Sequence, residues 1–346
     1  MSAPIYETVS IEVPGSTANL GLWFDAAGAA LSDPTLKVTL QAVEQGEGLG
    51  RIGIGHDESI HVAPGRQVGD AGRLALQNYL HEIDETQHSL KVFFSSDSPD
   101  GYRSGGTGLS GAEAVGSVLA AAVMFDQLIA VDTAINASAA GEPGGHKDNV
   151  APSVDGGIQF LTNPLGMTKT HFHRIQPPEM LGLAIVQSSH QKQGGTEATR
   201  AILEVPRSSS EMKGQLGRAT MAALALQDGD VQTFLELVYT DEFHEPKRAN
   251  AGLYGNFTAH DFWQLKQKLY DDYGVGLAVS GAGPNLQLWY DREFASDAEL
   301  AGTVLSEWFG EHAMTATVKQ LHIPATGALQ YAQRTYANWV MHRSDV

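Results

Sequence analysis

Residues 14–25 read Pro-Gly-Ser-Thr-Ala-Asn-Leu-Gly-Leu-Trp-Phe-Asp, and this stretch constrains the fold more than any other. Immediately before it, Val9, Ile11 and Val13 alternate with other residues, the period-two pattern of a half-buried strand. The stretch itself opens with Pro14 and Gly15, carries Ser16, Thr17 and Asn19, and ends on the carboxylate of Asp25. A buried strand is not expected to be written this way. The pattern predicts that the chain leaves a strand here and sets small polar side chains and backbone N–H groups at its end. Loops at such ends commonly carry function. Taken alone, the same string also fits a turn leading into a helix N-cap.

Two partners lie downstream. Residues 144–157 read Gly-Gly-His-Lys-Asp-Asn-Val-Ala-Pro-Ser-Val-Asp-Gly-Gly, and residues 280–284 read Ser-Gly-Ala-Gly-Pro after the apolar positions Val275, Leu277 and Val279. In this order the three stretches resemble the signatures of the GHMP family of small-molecule kinases, and within it those of homoserine kinase. Those motifs are similar to PGSTANLGxxFD, GHxDNVAPxxxGG and SGAGP. The resemblance spans residues 14–284. It bears on fold more directly than on activity. It implies an α+β, two-domain GHMP kinase fold. The N-terminal domain would cover residues 1–165 with a glycine-rich phosphate loop, and a sandwich-like α/β C-terminal domain would cover 166–346. The implied activity is ATP-dependent phosphorylation of the side-chain hydroxyl of L-homoserine or a close analogue, a step of threonine biosynthesis. ATP and Mg²⁺ would be the cofactors, an amino acid the partner, a homodimer the assembly and the cytoplasm the setting.

Composition sets bounds around this reading. A chain of 346 residues, 42% hydrophobic and 18% charged, can bury one large or two medium cores. It has no cysteine, which removes disulfides, zinc thiolates and thiol nucleophiles and suits a reducing compartment. A formal net charge of -18 argues against a nucleic-acid partner. The apolar run from Val118 to Phe125 is far too short to span a membrane, and the N-terminus lacks the basic-then-apolar pattern of a signal peptide.

The hydrophobic pattern predicts strands over 5–13, 35–43, 89–94, 182–187, 277–280 and 286–290. It predicts helices over 70–83, 112–127, 210–227, 230–240, 259–272 and 297–309. A glycine-rich loop occupies 101–111, and a Gly-, Pro- and Ala-rich connection occupies 137–145. The mixture reads as α+β, with no GxGxxG opening a helix.

A hydroxy amino acid needs a carboxylate clamp, an ammonium partner and a contact to its hydroxyl. Arginine suits the clamp because its planar fork makes paired hydrogen bonds. The resemblance places two arginines there: Arg200 in Thr196-Glu-Ala-Thr-Arg and Arg248 in His244-Glu-Pro-Lys-Arg. It also places Asn19, Asp25, His146, Asn149, Thr196 and Gly281 near the substrate, with Asp25 at the ammonium and Asn19 at the hydroxyl end. Asn19, Asp25 and Arg200 are its catalytic candidates. Taken singly, each arginine would read as a solvated surface charge and Asp25 as a loop anchor. No general base is assigned, because phosphoryl transfer needs mainly alignment and charge neutralisation.

The family's phosphate loop is similar to GLGSSAA, and the nearest stretch here is Gly105-Gly-Thr-Gly-Leu-Ser-Gly-Ala-Glu-Ala. In one register Gly106 and Gly108 match the glycines and Ser110 matches the Mg²⁺-binding serine. Sliding by two residues matches Gly108 and Leu109 but loses both serines. The first register makes Gly105, Gly106, Thr107, Gly108, Ser110 and Gly111 the nucleotide contacts. Glu113 then falls in the first turn of the following helix, where a glutamate also suits the bare helix dipole. Facing a phosphate at about 5 Å, with an effective dielectric near 20, it would repel by roughly 3 kcal/mol per unit charge. It therefore points away, is offset by Mg²⁺, or marks a site without a triphosphate. Counting back eight residues from His146 for the family's metal-binding glutamate reaches Ser138, and a two-residue insertion reaches Asn136; Glu142 and Asp132 are near in sequence. The adenine segment, similar to DxxNLVxR in the family, reads Asp70-Ala-Gly-Arg-Leu-Ala-Leu-Gln, with Arg73 and Gln77 at the changed positions. These departures keep open a second reading, a homologue that binds the amino acid but has lost or changed its ATP chemistry. His171 with His173, and His56 with Asp57 and Glu58, are weak metal signals without a convincing further ligand. Trp23 is unusual within the first motif and either narrows a site or packs.

Overall fold

The structure, a computed structural model, describes residues 4–43, 52–62, 67–85, 87–162, 170–190, 202–203 and 208–336. The chain divides into two packing units. One is Met1–Ser16, Gly28–His173 and Pro324–Val346; the other is Thr17–Ala27 and Arg174–Ile323. The expected domains, 1–165 and 166–346, are contiguous stretches, whereas these units are not. Residues 17–27 of the opening motif belong to the second unit although both flanks belong to the first.

The first unit contains, in chain order, all or most of β1 (Thr8–Ala18), β2 (Ala27–Val43), β3 (Ile52–His56), β4 (Ile60–His61), α1 (Asp70–Glu82), β5 (Ser89–Ser95), β6 (Tyr102–Arg103), α2 (Leu109–Met124), α3 (Val131–Ala139), α4 (Val150–Asp155), β7 (Ile158–Thr162) and β8 (His171–Ile175). Its main sheet has the order β3-β5-β2-β7-β8, with β1 also paired to β2. β2 and β5 run antiparallel with Leu40 opposite Val92, and β3 runs parallel to β5 with Ile54 opposite Val92. Apart from Ser110, Glu113 and Ser117, α2 is made of apolar residues and glycine, as suits a helix enclosed by protein. Each of its residues is buried except Ser110. It touches α1, α3 and α4, and its valines and leucines share one core with Val9, Ile11, Val38 and Phe94.

β1 does not stop where the sequence pattern predicts. It continues through Pro14 to Ala18, and residues 15–18 are all buried. Among the described strands β1 pairs with β2 alone, so the N–H that Pro14 lacks breaks no second ladder. Gly15 is there for space: a Cβ on it would lie 2.8 Å from the Pro34 carbonyl oxygen and 2.9 Å from the Tyr102 hydroxyl. Tertiary packing overrides the local turn signal. α2 begins at Leu109 rather than Ala112, and α3 occupies the start of the stretch read as a connection, burying Ala134, Ile135 and Ala137 on one face.

The second unit contains β9 (Leu181–Ser188), α5 (Ser209–Asp228), α6 (Val231–Val238), α7 (Glu245–Asn250), α8 (Ala259–Tyr273), β10 (Gly276–Val279), β11 (Leu286–Asp291), α9 (Ala295–Glu311) and β12 (Ala316–Leu321); α10 (Ala328–Thr335) returns to the first unit. Its sheet is antiparallel with order β10-β11-β9-β12, registered by Leu288 opposite Ala184 and Val318 opposite Val186. Leu265, Leu269, Leu305 and Phe309 of α8 and α9 form a core with Leu277, Leu286 and Leu288 of the sheet. Full burial of each such side chain contributes about 1.5–3 kcal/mol. α5 and α8 start at capping boxes, Ser208 with Glu211 and Thr258 with Asp261. Among the described residues no helix is long and apolar enough to cross a membrane.

Candidate active site

In the first unit the glycine-rich loop is built around its own anchors. Thr107 is buried; its hydroxyl donates to the Arg103 carbonyl at 2.6 Å, and its carbonyl accepts from Tyr102 Oη at 2.6 Å and from Ser16 N at 3.1 Å. Thr107 therefore holds the loop rather than facing a ligand. Gly105 and Gly106 precede it with positive φ. Gly108 ends the loop as the N-cap of α2 in the left-handed region, φ 69 and ψ 26, without a side-chain cap. It also needs to be glycine for space, since a Cβ would sit 2.1 Å from Ser16 Oγ. The N–H groups that open α2, on Leu109, Ser110 and Gly111, are those a helix leaves without intrahelical partners, and with the helix dipole they favour an anion.

Around this helix end the second motif is laid. Ser16 Oγ donates to Asn149 Oδ1 at 3.1 Å, and Gly111 packs against the Asn149 backbone. Asn149 is thus gathered with the glycine-rich loop. His146 is half-buried directly after the 3-10 turn Pro143–Gly145. The residue just before that turn, Glu142, accepts a hydrogen bond from Ser110 Oγ at 3.1 Å. A hydroxyl and a carboxylate side by side at a helix N-terminus form the oxygen donor set that suits a hard cation such as Mg²⁺, which keeps waters and nucleotide phosphates for its other positions. The positions reached by counting from His146 do not offer this: Ser138 is enclosed in α3 and Asn136 is exposed on it. Glu113 is the fifth residue of α2, past its first turn, and is fully buried. Arg73 and Gln77 lie on α1, where Arg73 pairs with Asp70 at 3.6 Å and reaches Gln77 at 3.5 Å. Among the described residues no group of three or more His, Asp or Glu could hold a metal ion.

In the second unit, Asn19 is a structural knot. Its Nδ2 donates to the Gly281 carbonyl at 2.6 Å, its Oδ1 accepts from Asp25 N at 3.0 Å, and its backbone N donates to the Ala27 carbonyl at 2.8 Å. Asn19 and Asp25 both adopt positive φ, 71° and 57°. Such backbone strain concentrates at ligand sites, where the surroundings hold it. The Asp25 side chain is half-buried, and Trp23 is buried within the same turn. Gly281 N in turn donates to the Ala18 carbonyl at 3.0 Å, so the last motif is bonded to the first. Arg248, on α7, is 2% exposed; its Nη1 donates to the Gly281 carbonyl at 3.3 Å and its guanidinium lies over the Phe24 ring at 5.1 Å. Asn19, Asp25, Arg248 and Gly281 are thereby brought together, whereas His146 and Asn149 belong to the first unit and Thr196 and Arg200 lie outside the described residues.

Sequence reasoning missed the support beneath this group. Asp241 accepts from the backbone N of His244 and Glu245 at 2.9 and 2.8 Å, and Glu245 accepts from Val279 N at 2.6 Å and pairs with Lys266. The only signal was the motif that carries Arg248, whose other letters hold the scaffold.

No protein-family model matches the chain. Among curated proteins it is 29% identical over 297 residues to homoserine kinase of Methanopyrus kandleri, covering 84% of this chain and 90% of that one. It is also 29% identical over 297 residues to homoserine kinase of Deinococcus radiodurans, covering 84% and 87%. Among solved structures it is similar to homoserine kinase from Cytophaga hutchinsonii, with TM-score 0.75, 21% identity and coverage of 93% and 97%. Leishmania major mevalonate kinase, solved with R-mevalonate, superposes with TM-score 0.62 at 16% identity, covering 94% and 100%. The structural likenesses speak to the fold, which is the α+β fold expected from the motifs.

Proposed function

We propose, for a chain that belongs to the GHMP kinase family and whose curated relatives are homoserine kinases, that it transfers the γ-phosphoryl group of ATP to the side-chain hydroxyl of L-homoserine. The observation that carries the proposal is the pairing of Ser110 with Glu142 at the N-terminus of α2. The substrate oxygen attacks the γ-phosphorus in line, the bond to the β–γ bridging oxygen breaks, ADP leaves, and the hydroxyl proton passes to solvent. The N–H groups of Leu109, Ser110 and Gly111 take up phosphate charge in a fixed arrangement that needs no reorganisation. Ser110 and Glu142 would hold Mg²⁺, which supplies charge neutralisation on the phosphates. For the amino acid, Asp25 takes the ammonium and Arg248 the carboxylate. Arg248 is pre-organised by Phe24 and Gly281, so little freedom is lost when it binds. Arg200, Thr196 and His146 complete the proposed substrate contacts.

A homologue that binds the amino acid without ATP chemistry is the weaker reading. It drew its support from Glu113, from a missing carboxylate and from Arg73 and Gln77 in the adenine segment; Glu142 beside Ser110 supports the presence of a carboxylate. A homodimer, a cytoplasmic setting and a place in threonine biosynthesis extend the same proposal. The test is ADP release with L-homoserine, ATP and Mg²⁺, with the product identified by ³¹P NMR. Homoserine-dependent ADP and a phosphate monoester are expected. No homoserine-dependent ADP across several divalent cations rejects the proposal.

A further inference from the structure

We propose that His244, with Asp241 and Gln215, is a positioning device that holds the segment Asn19–Asp25 and Arg248 in one fixed arrangement and so sets the affinity for the amino-acid substrate. Its kinetic consequence rests on the amino-acid kinase reading above. His244 is 0% exposed. Its Nε2 lies 2.9 Å from the Gly21 carbonyl oxygen. A carbonyl only accepts, so Nε2 carries the proton and donates. Its Nδ1 finds no hydrogen-bond partner among the described residues.

The same imidazole packs against Phe24, centroid to centroid 5.3 Å, and Phe24 is the ring beneath Arg248. One side chain therefore touches both the backbone of the strained segment and the platform of the guanidinium. Gln215, from α5, adds a second fastening: its Nε2 donates to the Leu22 carbonyl at 3.0 Å and to Asp241 Oδ1 at 2.8 Å. Successive carbonyls, Gly21 and Leu22, are thus each gripped by a side-chain N–H. Asp241 joins the two grips. Its Oδ1 receives Gln215, and its Oδ2 receives the backbone N of His244 and Glu245, which fixes the start of α7 and hence Arg248. Asn19 and Asp25 need this support because their positive φ is otherwise unfavourable for residues with a Cβ.

The experiment compares His244→Leu, His244→Gln and Gln215→Met in the full chain. Amide hydrogen exchange of peptides covering residues 17–27 is read alongside steady-state kinetics with L-homoserine and Mg-ATP. His244→Leu is expected to lose protection over 17–27 while peptides around Ser16 and Ala112 keep theirs. It is expected to raise KM for homoserine tenfold or more, with KM for ATP and kcat within about threefold. His244→Gln, whose amide can still donate to Gly21, is expected to recover most of both effects. Gln215→Met, at a half-buried position, gives a smaller change of the same kind and serves if His244→Leu fails to fold. Unchanged exchange over 17–27 in His244→Leu, or in Gln215→Met should the former not fold, overturns the inference. Equal rises in both KM values overturn it as well. Local loss of protection in a protein whose unaltered form has no homoserine-dependent activity supports the positioning role and overturns the proposed function instead.

Discussion

Glu142 accepts a hydrogen bond from Ser110 Oγ at 3.1 Å, which joins the residue before a 3-10 turn to the only α2 residue that is not buried. A carboxylate at that point offsets the charge of a triphosphate only through a cation, so its loss is felt in turnover more than in amino-acid binding. Glu142→Ala is expected to lower kcat by about 10²–10³-fold, the usual cost of removing one group that stabilises developing charge. KM for homoserine should change by less than about threefold. Rates measured over a Mg²⁺ series check this, and full activity of the variant at ordinary Mg²⁺ counts against the assignment.

Asn19 predicts a stability effect. In Asn19→Ala the Asp25 N–H loses its acceptor, while the Gly281 carbonyl keeps its bond from Arg248. One half-buried donor deprived of that acceptor, together with a left-handed φ imposed on alanine, sums to about 2–3 kcal/mol. Asn19→Gly removes the backbone part and leaves the hydrogen-bond part, so it should be the more stable of the two by about 1 kcal/mol. Urea unfolding of both variants provides the comparison. Equal midpoints would show that the left-handed backbone at Asn19 carries no strain.

The three motifs were legible because each is a local string whose glycines and short polar residues answer a local demand. Ser110 could be found for the same reason. Glu142 could not be found by counting, because spacing assumes a fixed path between landmarks. Here α3 and the turn Pro143–Gly145 alter that path and bring the residue four before His146 to the helix. β1 was misjudged at Pro14 and Gly15 because a turn and a tightly packed strand end ask for the same small residues. The role of His244 was invisible for another reason: its bond to Gly21 joins positions 223 residues apart. No local pattern encodes such a contact.

The Glu245–Lys266 pair is buried, at 1% and 2% exposure, and is not a simple ion pair. Glu245 also accepts from Val279 N, and Lys266 also donates to the Tyr239 carbonyl and sits 4.9 Å over the Phe262 ring. Lys266→Met strands a buried carboxylate and is expected to destabilise by about 3–5 kcal/mol. Adding Glu245→Gln removes that charge yet keeps an acceptor for Val279 N, so the double variant should recover part of the loss. Differential scanning calorimetry of the three variants tests this. A double variant less stable than Lys266→Met would refute it.

Buried tyrosines predict an alkaline limit. Burial pushes the Tyr254 phenol well above its ordinary value; the Arg248 charge opposes this and Glu245 adds to it. Burial, then Glu82, pushes Tyr79 up as well. Below about pH 10 the phenol keeps its proton in both folded and unfolded chains and contributes no slope. Above it, the unfolded chain releases a proton that the folded chain retains. The unfolded state then binds fewer protons, and stability falls as pH rises. Each such tyrosine contributes about 1.4 kcal/mol per pH unit in that range. Tyr254→Phe removes one titrating group, so unfolding free energies measured at pH 9, 10.5 and 11.5 should decline less steeply than in the unaltered chain. Parallel declines would mean that the Tyr254 phenol ionises as readily in the folded chain as in the unfolded one.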